Sequence, residues 1–67
     1  MAIARVTKIT SASPEGFDAA VREGLARAST TLHGITGLHV IEQKAKVDSG
    51  RIAEYRVTME ITFVLDE

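Results

Sequence analysis

The chain of 67 residues contains no cysteine and no tryptophan, and it has only one proline, one tyrosine and two phenylalanines. The absence of cysteine excludes disulfide bonds and thiolate metal sites. The scarcity of aromatic rings leaves little surface on which a flat ligand could stack. A domain this small buries only about 60% of the surface that its unfolded chain exposes, and such domains usually depend on disulfides, a metal or oligomerisation. We therefore expect oligomerisation.

Charge and hydropathy argue against two further classes of partner. Eight Lys and Arg residues against nine Asp and Glu residues give a net charge of −1. Because nucleic-acid binding rests on a basic surface, we expect no nucleic-acid partner. No apolar run approaches the roughly 20 residues that a membrane span requires, and no signal peptide is recognisable. These features predict a cytoplasmic protein without a membrane partner.

The most regular pattern is an alternation of apolar and polar residues over Arg51 to Leu65. The apolar positions are Ala53, Tyr55, Val57, Met59, Ile61, Phe63 and Leu65. A period of two predicts a strand with one buried face, and its length at about 3.3 Å per residue is about 45 Å. A domain of this size is typically only about 25 Å across. The strand is too long for one chain to cover, so we expect other copies to cover it.

A helix is predicted before this strand. Ser13 can cap its beginning, and Pro14 suits the first helical position. Apolar residues at helical spacing follow, and Gly34 favours the left-handed conformation that ends many helices. We therefore expect an amphipathic helix of about five turns, or about 30 Å, ending at His33-Gly34. Gly24 in its middle costs about 1 kcal/mol relative to alanine, which predicts a tight contact there.

Two more strands complete the predicted fold. They span Ala2 to Thr10 and Leu38 to Val47, and the turn Asp48-Ser49-Gly50 leads from the latter into the long strand. The order strand–helix–strand–strand predicts an α+β fold of βαββ type. We expect a three-stranded antiparallel sheet in the order 1-3-2, wrapped around one helix, with residues 1–67 forming a single domain.

Taken together, these segments resemble the dodecin family. The resemblance rests on five stretches: Arg-Val at 5–6, Thr-Ser-Ala-Ser-Pro-Glu-Gly at 10–16, Ala-Ala at 19–20, Gly-Leu-Ala-Arg-Ala at 24–28 and Tyr-Arg-Val-Thr-Met-Glu-Ile-Thr-Phe at 55–63. Their order and spacing cover nearly the whole chain. The resemblance implies a βαββ protomer in a hollow, cubic-symmetric homododecamer. It also implies storage or buffering of a flavin, riboflavin or FMN.

The resemblance also implies where a flavin would bind. In flavin-binding relatives a tryptophan after the helix sandwiches the ring between subunits, a glutamine in the third strand contacts its edge, and an acidic residue in the second strand reaches the ribityl chain. These positions are Gly37, Arg56 and Glu42 in this chain, so only the acidic one is kept. Losing the tryptophan removes stacking worth about 1–3 kcal/mol per contact. We therefore expect a dodecameric storage or buffering shell with a degenerate flavin site and no tight flavin binding, with weak flavin binding as the alternative.

Each of these positions also has a purely structural interpretation, which we prefer. Gly37 ends the segment 34–37, where a turn favours glycine. Glu42, Arg56 and Glu54 lie in neighbouring strands and can form cross-strand ion pairs worth about 0.2–1 kcal/mol each. The functional interpretation makes Arg56 an anion binder and Glu42 the hydrogen-bonding partner of a polar ligand.

Divalent cations are a further alternative. The resemblance implies calcium for some relatives that lack the tryptophan, and calcium and magnesium take oxygen ligands. The carboxylates that symmetry could bring together are Asp48, Glu60, Asp66 and Glu67. No Asp-x-Asp spacing marks a binding loop, so the structural interpretation is that they are solvated. His33 and His39 could bind zinc, but no third ligand lies near them in sequence. The structural interpretation places His33 at the end of the helix and His39 on the surface or at an interface.

No enzymatic motif is present. The chain has no cysteine nucleophile, no G-x-S-x-G, no phosphate loop and no clear acid–base pair. We expect a binding protein rather than an enzyme. A structural protein that interacts with another macromolecule remains a third class.

Overall fold

The computed structural model describes residues 3–65. Four elements follow one another: β1 (Ala4–Ser13), α1 (Phe17–Ala28), β2 (Ile35–Asp48) and β3 (Arg51–Val64). This βαββ order confirms the prediction. Residue 2, where the first strand is expected to begin, lies outside the described residues, as do Asp66 and Glu67. Within residues 3–65 no helix is both long and apolar enough to cross a membrane.

The three strands form one antiparallel sheet in the order β1-β3-β2, as predicted. β3 is the central strand, and it pairs with β1 from Ala4↔Val64 to Ser13↔Tyr55. Its pairing with β2 is interrupted by three register shifts. One of them lies between Val40 and Glu42, where Ile41 is an extra residue of β2. Such bulges bend a strand and increase its twist, which helps the sheet to wrap around the helix.

One face of the sheet packs on α1. The fully buried side chains of β3 are Val57, Met59 and Ile61, spaced by two as the alternation predicts. They meet Ala20 and Ala28 of the helix. Small helix residues let the two backbones approach closely, so the core is thin and contains few large side chains. Phe17 and Tyr55 add an edge-to-face aromatic contact, with ring centroids 5.0 Å apart.

The helix begins later and ends earlier than predicted. It has 12 residues, or about 18 Å, rather than about five turns. At its end, the hydroxyls of Ser29 and Thr30 donate to the carbonyls of Leu25 and Arg27 at 2.8 and 2.7 Å. Hydroxyl side chains that satisfy the last carbonyls compete with further helical hydrogen bonds. The run of Ser and Thr at 29–31 therefore ends the helix before His33, and the prediction that His33 closes it is wrong.

Ser13 does not cap the helix, although it has a related role. It is the last residue of β1 and is buried, and its Oγ accepts a hydrogen bond from the Glu15 N–H at 3.1 Å. The helix cap is Gly16, which has no side chain to offer. Ser13 therefore organises the turn between β1 and α1 rather than the first helical turn.

The turn between β2 and β3 is as short as predicted. Ser49 and Gly50 both have positive φ angles, 51° and 76°. Two successive residues with positive φ match the right-handed twist of a tight hairpin. β2 itself begins at Ile35, three residues before the predicted start, and it reaches Asp48. Both strands of the hairpin therefore have 14 residues.

The hairpin is much longer than the helix that covers it. β3 measures about 46 Å at about 3.3 Å per residue, against about 18 Å for α1. Every residue from 41 to 53 is exposed, and we call this segment the hairpin arm. The chain measures 52 × 19 × 13 Å, and its radius of gyration is 13.8 Å. A compact chain of this length would have a radius of gyration of about 11 Å.

Gly24 lies at the tightest helix–sheet contact, as predicted. A Cβ at this position would lie 2.8 Å from Met59 Cε and 3.0 Å from Ser11 Cβ. Because Met59 is fully buried, it has little room to move away. We expect Gly24→Ala to destabilise the protein. Overpacking lowers the free energy of unfolding by about 1–3 kcal/mol, whereas the higher helix propensity of alanine raises it by at most about 1 kcal/mol. The midpoint of urea unfolding measures the difference.

The control for this change is Ala26→Gly on the exposed side of the same helix, which should also lower the midpoint, through helix propensity alone. If Gly24→Ala raised the midpoint, helix propensity would outweigh packing at this position. That result would contradict the tight contact.

Candidate functional site

The sheet has one face that α1 does not cover. Since Val57, Met59 and Ile61 point to the helix, the even-numbered side chains of β3 point away from it. We call the even-numbered positions of β3 from 54 to 64, together with the residues paired with them, the helix-free face. At its centre the hydroxyls of Thr10 and Thr58 are 3.0 Å apart across β1 and β3. All three positions of the expected flavin site lie on this face.

Gly37 is a strand residue rather than a turn residue. It lies in β2 opposite Thr62. Its φ is not positive, whereas Gly34 has φ 74°. No heavy atom lies within 4 Å of a Cβ built on Gly37, so the space beside it is open. The prediction that a turn requires glycine here is wrong, and the turn uses Gly34 instead.

Arg56 and Glu42 do not pair with each other. Arg56 Nε donates to Glu54 Oε1 at 2.7 Å, and Lys44 Nζ lies 3.8 Å from Glu42 Oε1. In both cases the partners are two residues apart on one strand, so their side chains share a face. The cross-strand ladder between Glu42 and Arg56 is therefore wrong for the single chain. Exposed pairs of this kind contribute at most about 1 kcal/mol.

The three expected site positions are spread along the sheet. Gly37 is opposite Thr62, Glu42 is opposite Thr58, and Arg56 is opposite Lys44. Thr62 and Arg56 are six positions apart on β3, which is about 20 Å at about 3.3 Å per residue. One flat ring cannot contact both ends of such a set. A pocket that uses all three positions therefore needs residues from a second copy.

The candidate metal ligands are also far apart. Asp48 is opposite Arg51 at the tip of the hairpin, and Glu60 lies nine residues further along β3, about 30 Å away. Glu60 Oε1 is 3.7 Å from His39 Nδ1 on the neighbouring strand. His33 lies in the connection before β2. Across residues 3–65 no three Asp, Glu or His side chains are grouped as metal ligands.

A groove between α1 and β1 was not predicted from the sequence. Its volume is about 590 Å³, and apolar Ile9, Ala28 and Leu32 alternate in its lining with polar Thr7, Ser11 and Arg27. The signal that could have indicated it is the series of small residues in α1, of which we interpreted only Gly24, as a tight contact. Gly24 and Ala28, two of these small residues, line the groove. None of Gly37, Glu42 and Arg56 lines this groove.

Comparison with known sequences gives one consistent result. The family model described as Dodecin matches residues 3–66. The dodecin of Thermus thermophilus is 33% identical over 60 residues, which is 90% of this chain and 87% of that protein. The calcium dodecin of Mycobacterium tuberculosis is 33% identical over 63 residues, which is 94% of this chain and 89% of that protein.

Comparison with solved structures agrees with the sequences. The dodecin from Streptomyces davaonensis superposes with a TM-score of 0.94 at 45% identity, covering 98% of this chain and 97% of its own. The M. tuberculosis calcium dodecin superposes with a TM-score of 0.83 at 34% identity, covering 96% and 91%. That protein is described as a calcium-chelating antigen with a calcium-binding site. The βαββ fold is thus common to all of these proteins.

The environments of Gly37 and Gly34 predict opposite effects of the same substitution. Gly37→Ala should stabilise the protein by about 0.4–1 kcal/mol, because its φ suits any residue and the space beside it is open. Gly34→Ala should destabilise it, because φ is 74° and the new Cβ would lie 2.9 Å from the Val64 carbonyl oxygen. Thermal unfolding of the two variants measures both effects. A loss of stability in Gly37→Ala would contradict the open space.

Proposed function

The chain belongs to the dodecin family, since the family model covers residues 3–66, and from this premise we propose that it forms a homododecameric shell that stores or buffers a small ligand. Each subunit contributes one domain, residues 1–67. The protein acts by binding rather than by catalysis. Its flavin site is degenerate, so tight flavin binding is lost.

Self-association is supported by the surface that one chain leaves uncovered. Val47 and Ile52 lie directly opposite each other in the hairpin arm and are 63% and 51% exposed. Exposed apolar area of this kind costs about 25 cal/mol per Å² relative to burial. Copies of the chain that pack on the arm remove this cost. The same copies supply the stability that a 67-residue core cannot supply alone.

The main support for a degenerate flavin site is the open space at Gly37. A relative with tryptophan would present its ring there, whereas this chain presents no side chain. Arg56 stands where a relative has glutamine, and Glu54 holds it at 2.7 Å. A charged side chain held by its neighbour is a poor substitute for an amide that hydrogen-bonds a neutral ring edge. Glu42 alone does not replace the lost contacts.

Cation binding is the second candidate function, because one relative of 33% identity is a calcium dodecin. Asp48 and Glu60 are the described carboxylates that we propose for it. Since they are about 30 Å apart in one chain, a cation site has to combine equivalent residues from different copies. Symmetric assemblies provide such convergence when a carboxylate lies near a rotation axis.

A titration with riboflavin, followed by flavin fluorescence, tests the degenerate site. We expect no quenching by the wild-type protein at tens of micromolar, because stacking worth about 1–3 kcal/mol per contact is missing. The double variant Gly37→Trp with Arg56→Gln should quench strongly, since it restores the ring and the amide. Strong quenching by the wild type would contradict the degenerate site.

The matched control is His39→Trp combined with Arg56→Gln, which places the same ring two residues further along β2, on the same face and at an exposed position. Only the Gly37→Trp pair should bind. Equal quenching by both variants would mean that any added tryptophan creates binding. Light scattering of each sample verifies that the shell is unchanged.

Calcium should raise the temperature of thermal unfolding if the second candidate is right. A ligand present at 100 times its Kd stabilises by about 2.7 kcal/mol. Asp48→Asn and Glu60→Gln should reduce the shift, while Glu15→Gln near the start of α1 should leave it unchanged. If neither calcium nor magnesium moves the unfolding temperature at constant ionic strength, the cation function is wrong.

A further inference from the structure

β1 is an edge strand with a regular outer side. In the sheet order β1-β3-β2 it has a neighbouring strand on one side only, within residues 3–65. Its pairing with β3 runs from Ala4 to Ser13 without a register shift. The other edge strand, β2, has three register shifts, and bulges of this kind discourage further pairing. β1 also contains no proline, so it is the edge of this sheet that can accept another strand.

The backbone groups that point outward from β1 belong to its even-numbered residues. The Leu65 N–H donates to the Ile3 carbonyl at 2.8 Å, and this pair continues the register of β1 and β3. Hydrogen-bonded pairs alternate along an antiparallel ladder, so the odd-numbered residues of β1 bond to β3. The N–H and C=O groups of Lys8, Thr10 and Ala12 therefore point away from the sheet.

The groove between α1 and β1 lies along this free edge. Thr10 and Ala12, whose backbone groups point outward, belong to its lining, together with apolar Ile9, Ala28 and Leu32. A strand added to β1 would lie about 4.8 Å from it and would direct every second side chain into the groove. Backbone hydrogen bonds to a strand edge with pockets for alternate side chains are one of the recurring modes of peptide recognition.

The charges beside the groove favour an acidic partner. Arg27 lines the groove, and no carboxylate of residues 3–65 lies within 4.0 Å of its guanidinium nitrogens. Glu23 also lines the groove, but its Oε2 accepts a hydrogen bond from Ser13 Oγ at 3.4 Å. β1 itself carries Arg5 and Lys8 and no carboxylate. An acidic strand complements this edge, whereas a second β1 would bring like charges together.

We propose that the outer edge of β1 and the groove beside it bind an extended acidic peptide segment of another protein, which adds to the sheet as a fourth strand. Its backbone pairs with the outward N–H and C=O groups of β1. Apolar residues at alternate positions pack on Ile9 and Leu32, and a carboxylate pairs with Arg27. The proposal is independent of the storage function, because it uses none of the expected flavin-site positions.

Fluorescence anisotropy with two fluorescein-labelled peptides tests the site. The probe is acetyl-Glu-Val-Glu-Val-Glu-Val-Glu-amide, and its matched control has lysine in place of every glutamate. The acidic peptide should bind saturably, and the lysine peptide should bind at least about tenfold more weakly, because it places like charges beside β1. No saturable binding of the acidic peptide at millimolar concentration overturns the proposal, as does equal binding of the two peptides.

A proline on the edge separates strand addition from contact between side chains alone. Thr10→Pro removes an N–H that points away from the sheet, and edge strands tolerate proline at such positions. It should weaken binding of the acidic peptide about tenfold, because one ladder hydrogen bond is lost and the ring blocks the approach of the added strand. Thr10→Val also removes the hydroxyl that meets Thr58, but it keeps the N–H and should leave the affinity unchanged. Equal losses in the two variants overturn strand addition.

A second pair of variants separates the groove from general surface charge. Arg27→Gln should weaken binding of the acidic peptide about tenfold, the effect expected for one charge-assisted pair. Arg22→Gln removes the same charge from an exposed position of α1 outside the groove, and it should leave the affinity unchanged. Equal losses in these two variants also overturn the proposal.

Light scattering of the same samples identifies the alternative occupant, a second copy of the chain. If a second copy occupied the edge of β1, the wild type would bind no peptide and Thr10→Pro would reduce the size of the assembly. That result overturns the proposal. Peptide binding to an assembly of unchanged size supports it.

Discussion

The structure depends on a mismatch of lengths between one helix and one strand. α1 has 12 residues and β3 has 14, but a helix rises about 1.5 Å per residue and a strand about 3.3 Å. One helix therefore covers less than half of the strand to which it is packed. The buried residues of β3 are confined to Val57, Met59 and Ile61. Residues 44–53 pair only with each other or with the positions of β3 before Val57, beyond this small core. The stability of this part of the hairpin arm therefore has to come from outside the chain.

The same mismatch determines what kind of ligand site is possible. An extended sheet distributes its side chains along a line, and Gly37 and Arg56 end about 20 Å apart. A single chain can then offer only local clusters on its helix-free face, such as the charged positions around Arg56. A pocket on this face that encloses a ligand requires a second copy. Assembly and binding are thus two consequences of one geometric constraint, and a change in the arm should affect both.

The sequence predicted most of the fold and little of the site. The alternation in β3 correctly assigned its buried side because one face of a central strand has a single consistent environment. The helix end was missed because Ser29 and Thr30 satisfy carbonyls that an apolar pattern ignores. Gly37 was assigned to a turn because the residue type does not reveal φ, and of these two glycines only Gly34 has a positive φ. The partners of Arg56 depend on register and rotamer, and neither can be read from spacing in the sequence.

Native mass spectrometry of the purified protein tests the central claim, that copies of the chain cover what one chain cannot. The account predicts a dodecamer of the 7.2 kDa chain as the dominant species, without monomer at micromolar concentration. A stable monomer under the same conditions would contradict it, because the hairpin arm would then be folded without a covering partner.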